Sequence, residues 1–271
     1  MFQGAYGVTE KMPANDALDE RVAELLINGF TVLPSGMDPG FIESLKATLD
    51  RAYKKQVAEI GSEEDLARIN DADIVRCVLS YEPDFLQVAT SEVLLEFATR
   101  TLGGEFILLM QNGLINRSDK ENFQAKWHRD LNYQHWTASK PLAINALFCI
   151  DEFTTDNGAT FVLPGTQNVA AFPTEAFTER FEHQSSVPAG SFLILNAMLF
   201  HRAGINTSGR LRRAVNHVVG LPFMAQQIDI PSALERAGIE PPKDARLRKY
   251  LNYDWAPSRD AAEWRRKRLV K

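Results

Sequence analysis

The spacing of apolar positions changes character near residue 104. Before it, hydrophobic residues recur at helical intervals. Leu18, Val22, Leu25 and Leu26 line one face after a cap at Asn15 or Asp16, and Gly29 ends the run. Phe30 to Leu33 reads as a short strand closed by Pro34-Ser35-Gly36. Asp38-Pro39 then opens a second amphipathic helix carrying Phe41, Leu45, Leu49 and Tyr53. A third helix is predicted from Ser91 to Leu102, stopped by Gly103-Gly104.

Beyond Gly104 the runs become short and β-rich: 105–115, 142–150, 159–163, 191–195 and 213–221. Turn chemistry separates them, at Asp156-Asn157-Gly158, Pro164-Gly165, Ala189-Gly190 and Ser208-Gly209. Helices followed by many strands predict a mainly β fold, a sandwich or barrel decorated with helices, and argue against a βαβ sheet. No Gly-rich phosphate loop is present. The expected organisation is one domain over residues 1–271, with a helical part (1–104), a β core (about 105–222) and a C-terminal extension (223–271).

Composition narrows the function classes. A net charge of −5 gives no electrostatic reason to bind nucleic acid or an anionic membrane. The one basic run, Trp264 to Arg268, reads as a solvated terminus. No apolar stretch is long enough to span a bilayer, and Met1 to Met12 lacks signal-peptide order. The two cysteines, Cys77 and Cys149, lie far apart in apolar runs, which fits a reducing, cytoplasmic setting. The sequence leaves the oligomeric state open.

Five histidines narrow the chemistry further. His128-Arg129-Asp130 places an imidazole and a carboxylate on one face of an extended chain. Alone, such a pair is often a surface histidine beside a solvated aspartate. His201 changes its weight, because it follows the buried run Gly190 to Asn196 and so sits at the mouth of the β structure. Two imidazoles and one carboxylate make the facial triad that leaves positions open on a non-haem Fe(II) ion. If 212–218 is a strand, Arg212, Ala214, Asn216 and Val218 share one face and Arg213, Val215 and His217 the other. An inward guanidinium requires an anion, which a dicarboxylate would provide. Arg210 and Arg213 are equally consistent with exposed turn positions.

Five motifs in order carry a resemblance: Asn28 to Pro34, Trp127 to Asp130, Asp156 to Thr166, Gly190 to Asn196 and His201 to Arg213. On these the chain resembles the phytanoyl-CoA dioxygenase family of Fe(II)/2-oxoglutarate oxygenases. The resemblance implies a double-stranded β-helix (a jelly-roll, cupin-like barrel) and metal ligation by His128, Asp130 and His201. It implies a cosubstrate arginine eleven positions past the distal histidine, at Arg212. It also implies dioxygen-dependent oxidation of a small molecule, with 2-oxoglutarate converted to succinate and carbon dioxide.

Gln111 is the expected additional 2-oxoglutarate contact, with Asn112 on the opposite face as its alternative; Thr160 and Asn145 are further cavity positions. The chain departs from the family pattern at Ala203, where many relatives have a hydroxyl residue, and at Gln167, where they have histidine. Asp130 argues against a halogenase, which needs a small residue there. Trp127, Tyr133, His135 and Trp136 fit an aromatic lid or ordinary packing equally, and Arg76, Arg129 and Arg202 fit recognition of an anionic substrate or solvent-facing ion pairs. A natural product, amino-acid derivative or phosphonate fits better than an acyl-CoA ester. Two other readings stand beside the oxygenase: a cupin-like isomerase or hydrolase using Zn or Mn without 2-oxoglutarate, and a non-catalytic small-molecule binding protein.

Overall fold

The protein is described by a computed structural model that covers residues 7–118, 120, 123–131, 134–255 and 257–269. The N-terminal helices form where the sequence supplies caps. In α1 (Ala17–Asn28), the Asp16 carboxylate accepts from the N–H groups of Leu18 and Asp19. Gly29, at φ +86°, closes the helix by donating to Leu25 O. The helix α2 (Pro39–Ile60) starts on Asp38, which accepts from Phe41 N, and α5 (Glu92–Leu102) ends at Gly103. Between them lie α3 (Glu63–Arg68), β2 (Ile74–Arg76), a 3₁₀ turn at Val78–Ser80 and α4 (Asp84–Ala89). These pieces are too short to show a hydrophobic period.

Two antiparallel sheets make the β core. The larger has the order β1-β7-β4-β9-β3-β2, formed by β1 (Phe30–Pro34), β7 (Ser191–Asn196), β4 (Ala143–Cys149), β9 (Arg212–Gly220) and β3 (Ile107–Asn116) with β2. The smaller is β6-β5-β8, from β6 (His183–Gln184), β5 (Phe161–Val162) and β8 (His201–Arg202). The double-stranded β-helix architecture expected from the sequence is therefore met. Strands β4 and β7 are buried on both faces, which is why they read as unbroken apolar runs. Phe148, Phe192 and Ile194 face the helices, packing with Leu45, Leu49, Phe85 and Phe97. Leu147, Leu193 and Leu195 face the smaller sheet, against Val162 and Phe153.

The C-terminal residues add α7 (Ile230–Arg236), α8 (Ala245–Tyr250) and α9 (Ala261–Leu269), and Leu234 and Tyr250 join the helical-side core. The basic run Trp264 to Arg268 lies in α9, which buries no residue. Cys77 and Cys149 are free and buried, and burial pushes the Cys149 thiol up to about 12. No helix among the described residues is long and apolar enough to cross a membrane.

Strand β9 follows the predicted alternation, but Gln111 falls on the helical side of the sheet and not in the cavity. It pairs with His217, and both side chains are buried. Gln111 Oε1 accepts from Leu79 N, so its Nε2 faces Phe85 O (2.9 Å) and His217 Nε2 (3.0 Å). The donor on Gln111 forces His217 Nε2 to accept, and His217 Nδ1–H then donates to Ala146 O at 3.0 Å. The network admits only the neutral imidazole. Arg213 is likewise no turn residue: it anchors α2 to the sheet through Asp50 (2.9 Å) and Asp151 (3.2 Å).

Burial pushes the His217 pKa down to about 4, against an ordinary value of 6.5. Between these values the unfolded chain binds a proton that the native state refuses, so stability falls as pH drops through that window. The loss attributable to His217 is about 3 kcal/mol. The stability difference between wild type and His217→Leu, followed by urea unfolding, should therefore shrink by that amount from pH 7 to pH 4. Parallel profiles would remove His217 from the account.

Candidate metal and cosubstrate site

Two segments far apart in sequence are joined by a reciprocal backbone pair. His128 N donates to His201 O and His201 N to His128 O, each at 3.0 Å. Asp130 N adds a bond to Ala197 O at 3.1 Å. This pairing brings the His128 and His201 rings to a centroid distance of 4.4 Å and His201 Nε2 to 3.6 Å from Asp130 Oδ1. One potential ligand atom from each of the three residues lies within 4.8 Å of the others.

The two imidazoles are oriented alike. His128 Nδ1 contacts Lys126 O at 2.7 Å and His201 Nδ1 contacts Leu199 O at 3.0 Å. A carbonyl can only accept, so each ring carries its proton on Nδ1 and presents the Nε2 lone pair to the cluster. Burial, then the neighbouring His201, lower the His128 pKa to about 4, which keeps the ring neutral. Asn145 Nδ2 donates to Asp130 Oδ1 at 3.1 Å, while Asp130 Oδ2 is buried with no partner. Asn145 thus orients the carboxylate. A cation fits this donor set: two neutral nitrogen donors, one carboxylate held from behind, and one carboxylate oxygen left unsatisfied.

Arg212 lies on the inner face, as parity predicted. Its side chain is fully buried, its Nη1–H donates to Gly158 O, its Nε has no partner, and its guanidinium lies 4.2 Å from the centroid of the Phe153 ring. Among the described residues no carboxylate forms an ion pair with it, and burial lowers its pKa to about 10. Its acceptor is positioned by a close backbone approach. A Cβ on Gly158 (φ +80°) would sit 2.4 Å from Gly204 O, so two glycines let the loop after His201 touch the loop before β5. Arg212 and Asn116 line a cavity of about 310 Å³, and Asn116 Oδ1 is also buried without a partner. Sequence reasoning missed Asn116; its available signal was alternation with Asn112 on β3.

The other predicted positions divide. Asn112 shares the inner-face register with Asn216, whose Oδ1 accepts Asn112 N–H at 2.9 Å, so the structure favours it over Gln111 on placement alone. Thr160 is buried and alternates with the inward Val162. Trp136 lines a second cavity, of about 770 Å³, that also reaches Asp130. Trp127 instead packs on Phe172, and His135 is exposed with Nδ1 3.3 Å from Ala170 O. Tyr133 lies outside the described residues.

None of the three arginines expected to read an anionic substrate lines that cavity. Arg76 pairs with Asp71, and Arg202 with Glu182 at 3.0 Å. The guanidinium of Arg129 is distributed over the carbonyls of Gln134, Trp136, Thr166 and Val169 and stacks 3.9 Å from the Phe200 ring centroid. Gln167 donates to Leu26 O and Ile27 O, both at 3.3 Å, closing the end of α1. Ala203 leaves only its backbone N–H, bonded to Gln124 O at 2.8 Å.

Comparison with known proteins agrees with this geometry. The model of the phytanoyl-CoA dioxygenase family (PhyH) matches residues 27–214, a span that includes the cluster and Arg212. Protein Rv1501 of Mycobacterium tuberculosis is 34% identical over 232 residues, 83% of each chain. Among solved structures, iron-bound HygX from Streptomyces hygroscopicus aligns with a TM-score of 0.56 at 19% identity, over 76% of this chain and 88% of HygX. SnoN, a non-haem α-ketoglutarate-dependent epimerase from nogalamycin biosynthesis, aligns with a TM-score of 0.56 at 17% identity, over 76% and 83%. The chain belongs to the phytanoyl-CoA dioxygenase family.

Proposed function

We propose that the protein is an Fe(II)- and 2-oxoglutarate-dependent oxygenase that oxidises a small molecule, with His128, Asp130 and His201 as the metal ligands. The observation that carries the reading is the conjunction of that cluster with a buried arginine that has no ion-pair partner among the described residues. Iron-bound HygX and the α-ketoglutarate-dependent SnoN share the fold and support the choice of metal and cosubstrate. Bound Fe(II) supplies dioxygen activation coupled to decarboxylation of 2-oxoglutarate to succinate.

The chain's own residues provide position and charge. His128 and His201 offer neutral nitrogen donors fixed by Lys126 O and Leu199 O. Asp130 contributes the negative charge, held by Asn145 Nδ2. Arg212 would take the distal carboxylate of 2-oxoglutarate, and Asn112, Asn116 and Thr160 complete the polar wall on the inner face. A buried guanidinium without a counter-charge is costly. An isomerase or hydrolase without a dicarboxylate cosubstrate leaves Arg212 only the Gly158 carbonyl and the Phe153 face to offset that cost, and a simple binding protein gives the oriented triad no purpose. The carboxylate at Asp130 also speaks against halogenation, and hydroxylation is the proposed outcome.

Asp130→Ala and His201→Ala should abolish Fe(II)-dependent succinate release and the thermal stabilisation given by Fe(II) under anaerobic conditions. Full activity in either variant would sink the triad. Asn145→Leu should keep the fold and weaken metal affinity about 10- to 100-fold, as loss of an outer-shell partner does; an unchanged titration would deny it that role.

Arg212→Met should act in two directions. Without cosubstrate it should melt at or above the wild-type temperature, because an uncompensated charge leaves the interior. Its 2-oxoglutarate affinity, read from the visible band of the anaerobic Fe(II) chelate, should fall about 10- to 100-fold, the worth of a charge-assisted contact. Unaltered affinity would move the cosubstrate elsewhere.

A further inference from the structure

The cavity of about 770 Å³ beside Asp130 has a mainly apolar wall. Leu109, Met110, Leu131, Leu142, Val218 and Met224 form its apolar surface, continuous with the buried cluster around Ile107 and Met198. Among the described lining residues Asp130 is the only ionisable one. Gln226 contributes no free amide: its Nε2 donates to Leu108 O at 2.7 Å and its Oε1 accepts from Asn252 Nδ2 at 2.9 Å. That leaves the exposed Gln227 as the one amide able to meet a polar group of a ligand.

The rim is aromatic and held in place. The segment after β9 is pinned at several points: Leu221 N to Leu142 O and Met224 N to Leu221 O, both 3.0 Å, and Gln227 N to Leu109 O at 3.3 Å. These bonds present Phe223 on a fixed turn at 76% exposure. Trp136, 52% exposed, comes from the 134–140 segment, where Arg129 Nη1 donates to its carbonyl at 3.2 Å. Two large exposed aromatics bordering an apolar cavity mark a surface suited to being covered by an apolar ligand. Met110 and Met224 give the wall side chains that adapt to shape.

We infer that this cavity takes an uncharged, largely hydrocarbon small molecule and rejects anionic ones, including phosphonates, carboxylates and coenzyme A thioesters. An anion entering it would leave water and meet no cationic side chain among the described lining residues, and in the metal-free chain it would also face the Asp130 carboxylate. A neutral ring system of a size suited to the cavity would exchange water for apolar wall and rim, with at most one polar group reaching Gln227. That this ligand is the oxidised substrate rests on the function proposed above; the charge preference of the cavity does not.

The test uses two fluorescent probes with one ring skeleton, N-phenyl-1-naphthylamine and its sulfonated analogue 8-anilinonaphthalene-1-sulfonate, titrated into the full chain with and without Ni(II) and 2-oxoglutarate. The neutral probe is expected to bind at least tenfold more tightly. Leu142→Trp, which narrows the cavity at its wall, should weaken the neutral probe tenfold or more. Met224→Arg should bring the sulfonate to parity or beyond. Both variants should titrate with Ni(II) as the wild type does. Equal or tighter binding of the sulfonate by wild type, no binding of the neutral probe, or neutral-probe binding indifferent to Leu142→Trp would each overturn the inference. The wild-type comparison decides the matter even if a variant misfolds. Loss of Ni(II) and 2-oxoglutarate binding with probe selectivity intact would defeat the oxygenase reading and leave the cavity's preference standing.

Discussion

The two backbone hydrogen bonds between His128 and His201 are the constraint on which the rest of the site depends. Each ligand segment is irregular or very short by itself: His128 lies outside any named strand, and β8 has two residues. Pairing them fixes the separation of the two rings, and the bond from Asp130 N to Ala197 O fixes the carboxylate on the same side. The large sheet then supplies Asn145 from β4 behind Asp130 and Arg212 from β9. Side-chain geometry at the cluster therefore follows from main-chain bonds, which hold positions more tightly than side-chain contacts at a surface would.

Arg129 shows how the neighbour of two candidate ligands can serve the architecture alone. Its donors tie the 134–140 segment to the turn at 166–169, and its flat face lies on Phe200, the residue before His201. One buried guanidinium thus braces the cavity mouth and the distal histidine together. No acid among the described residues pairs with it; burial lowers its pKa, and carbonyl dipoles take the place of a counter-charge.

Much of this was legible in the sequence because local rules and the fold agree there. Asp16, Gly29 and Asp38 mark real helix ends, and the runs 142–150, 191–195 and 213–221 are strands buried on both faces. The inward set Arg212, Ala214 and Val218 followed from alternation alone. What was not legible depends on contacts between distant residues. Pieces such as α3, α4, β6 and β8 are too short to carry a period. Choosing between Gln111 and Asn112 needed the register of β3 against β9, which puts Gln111 opposite His217. The arginines were the hardest: substrate recognition and ion pairing both fitted Arg76, Arg129 and Arg202 in the sequence, and only the fold puts Asp71, four carbonyls and Glu182 beside them.

The order of strands in the large sheet also bears on how the chain is made. Strand β1 pairs only with β7, and β4 lies between β7 and β9, so its neighbours are both later in the sequence. During synthesis, β1 and β4 leave the ribosome before either strand they pair with, and β3 has only the short β2 beside it, until residues 191–220 follow. The metal cluster is subject to the same delay, since His128 and Asp130 wait for His201. Sheet closure is therefore a late event in the life of each nascent molecule, and the apolar run of β4, made before both of its partners, is the stretch left open longest to a helper protein or a neighbouring chain.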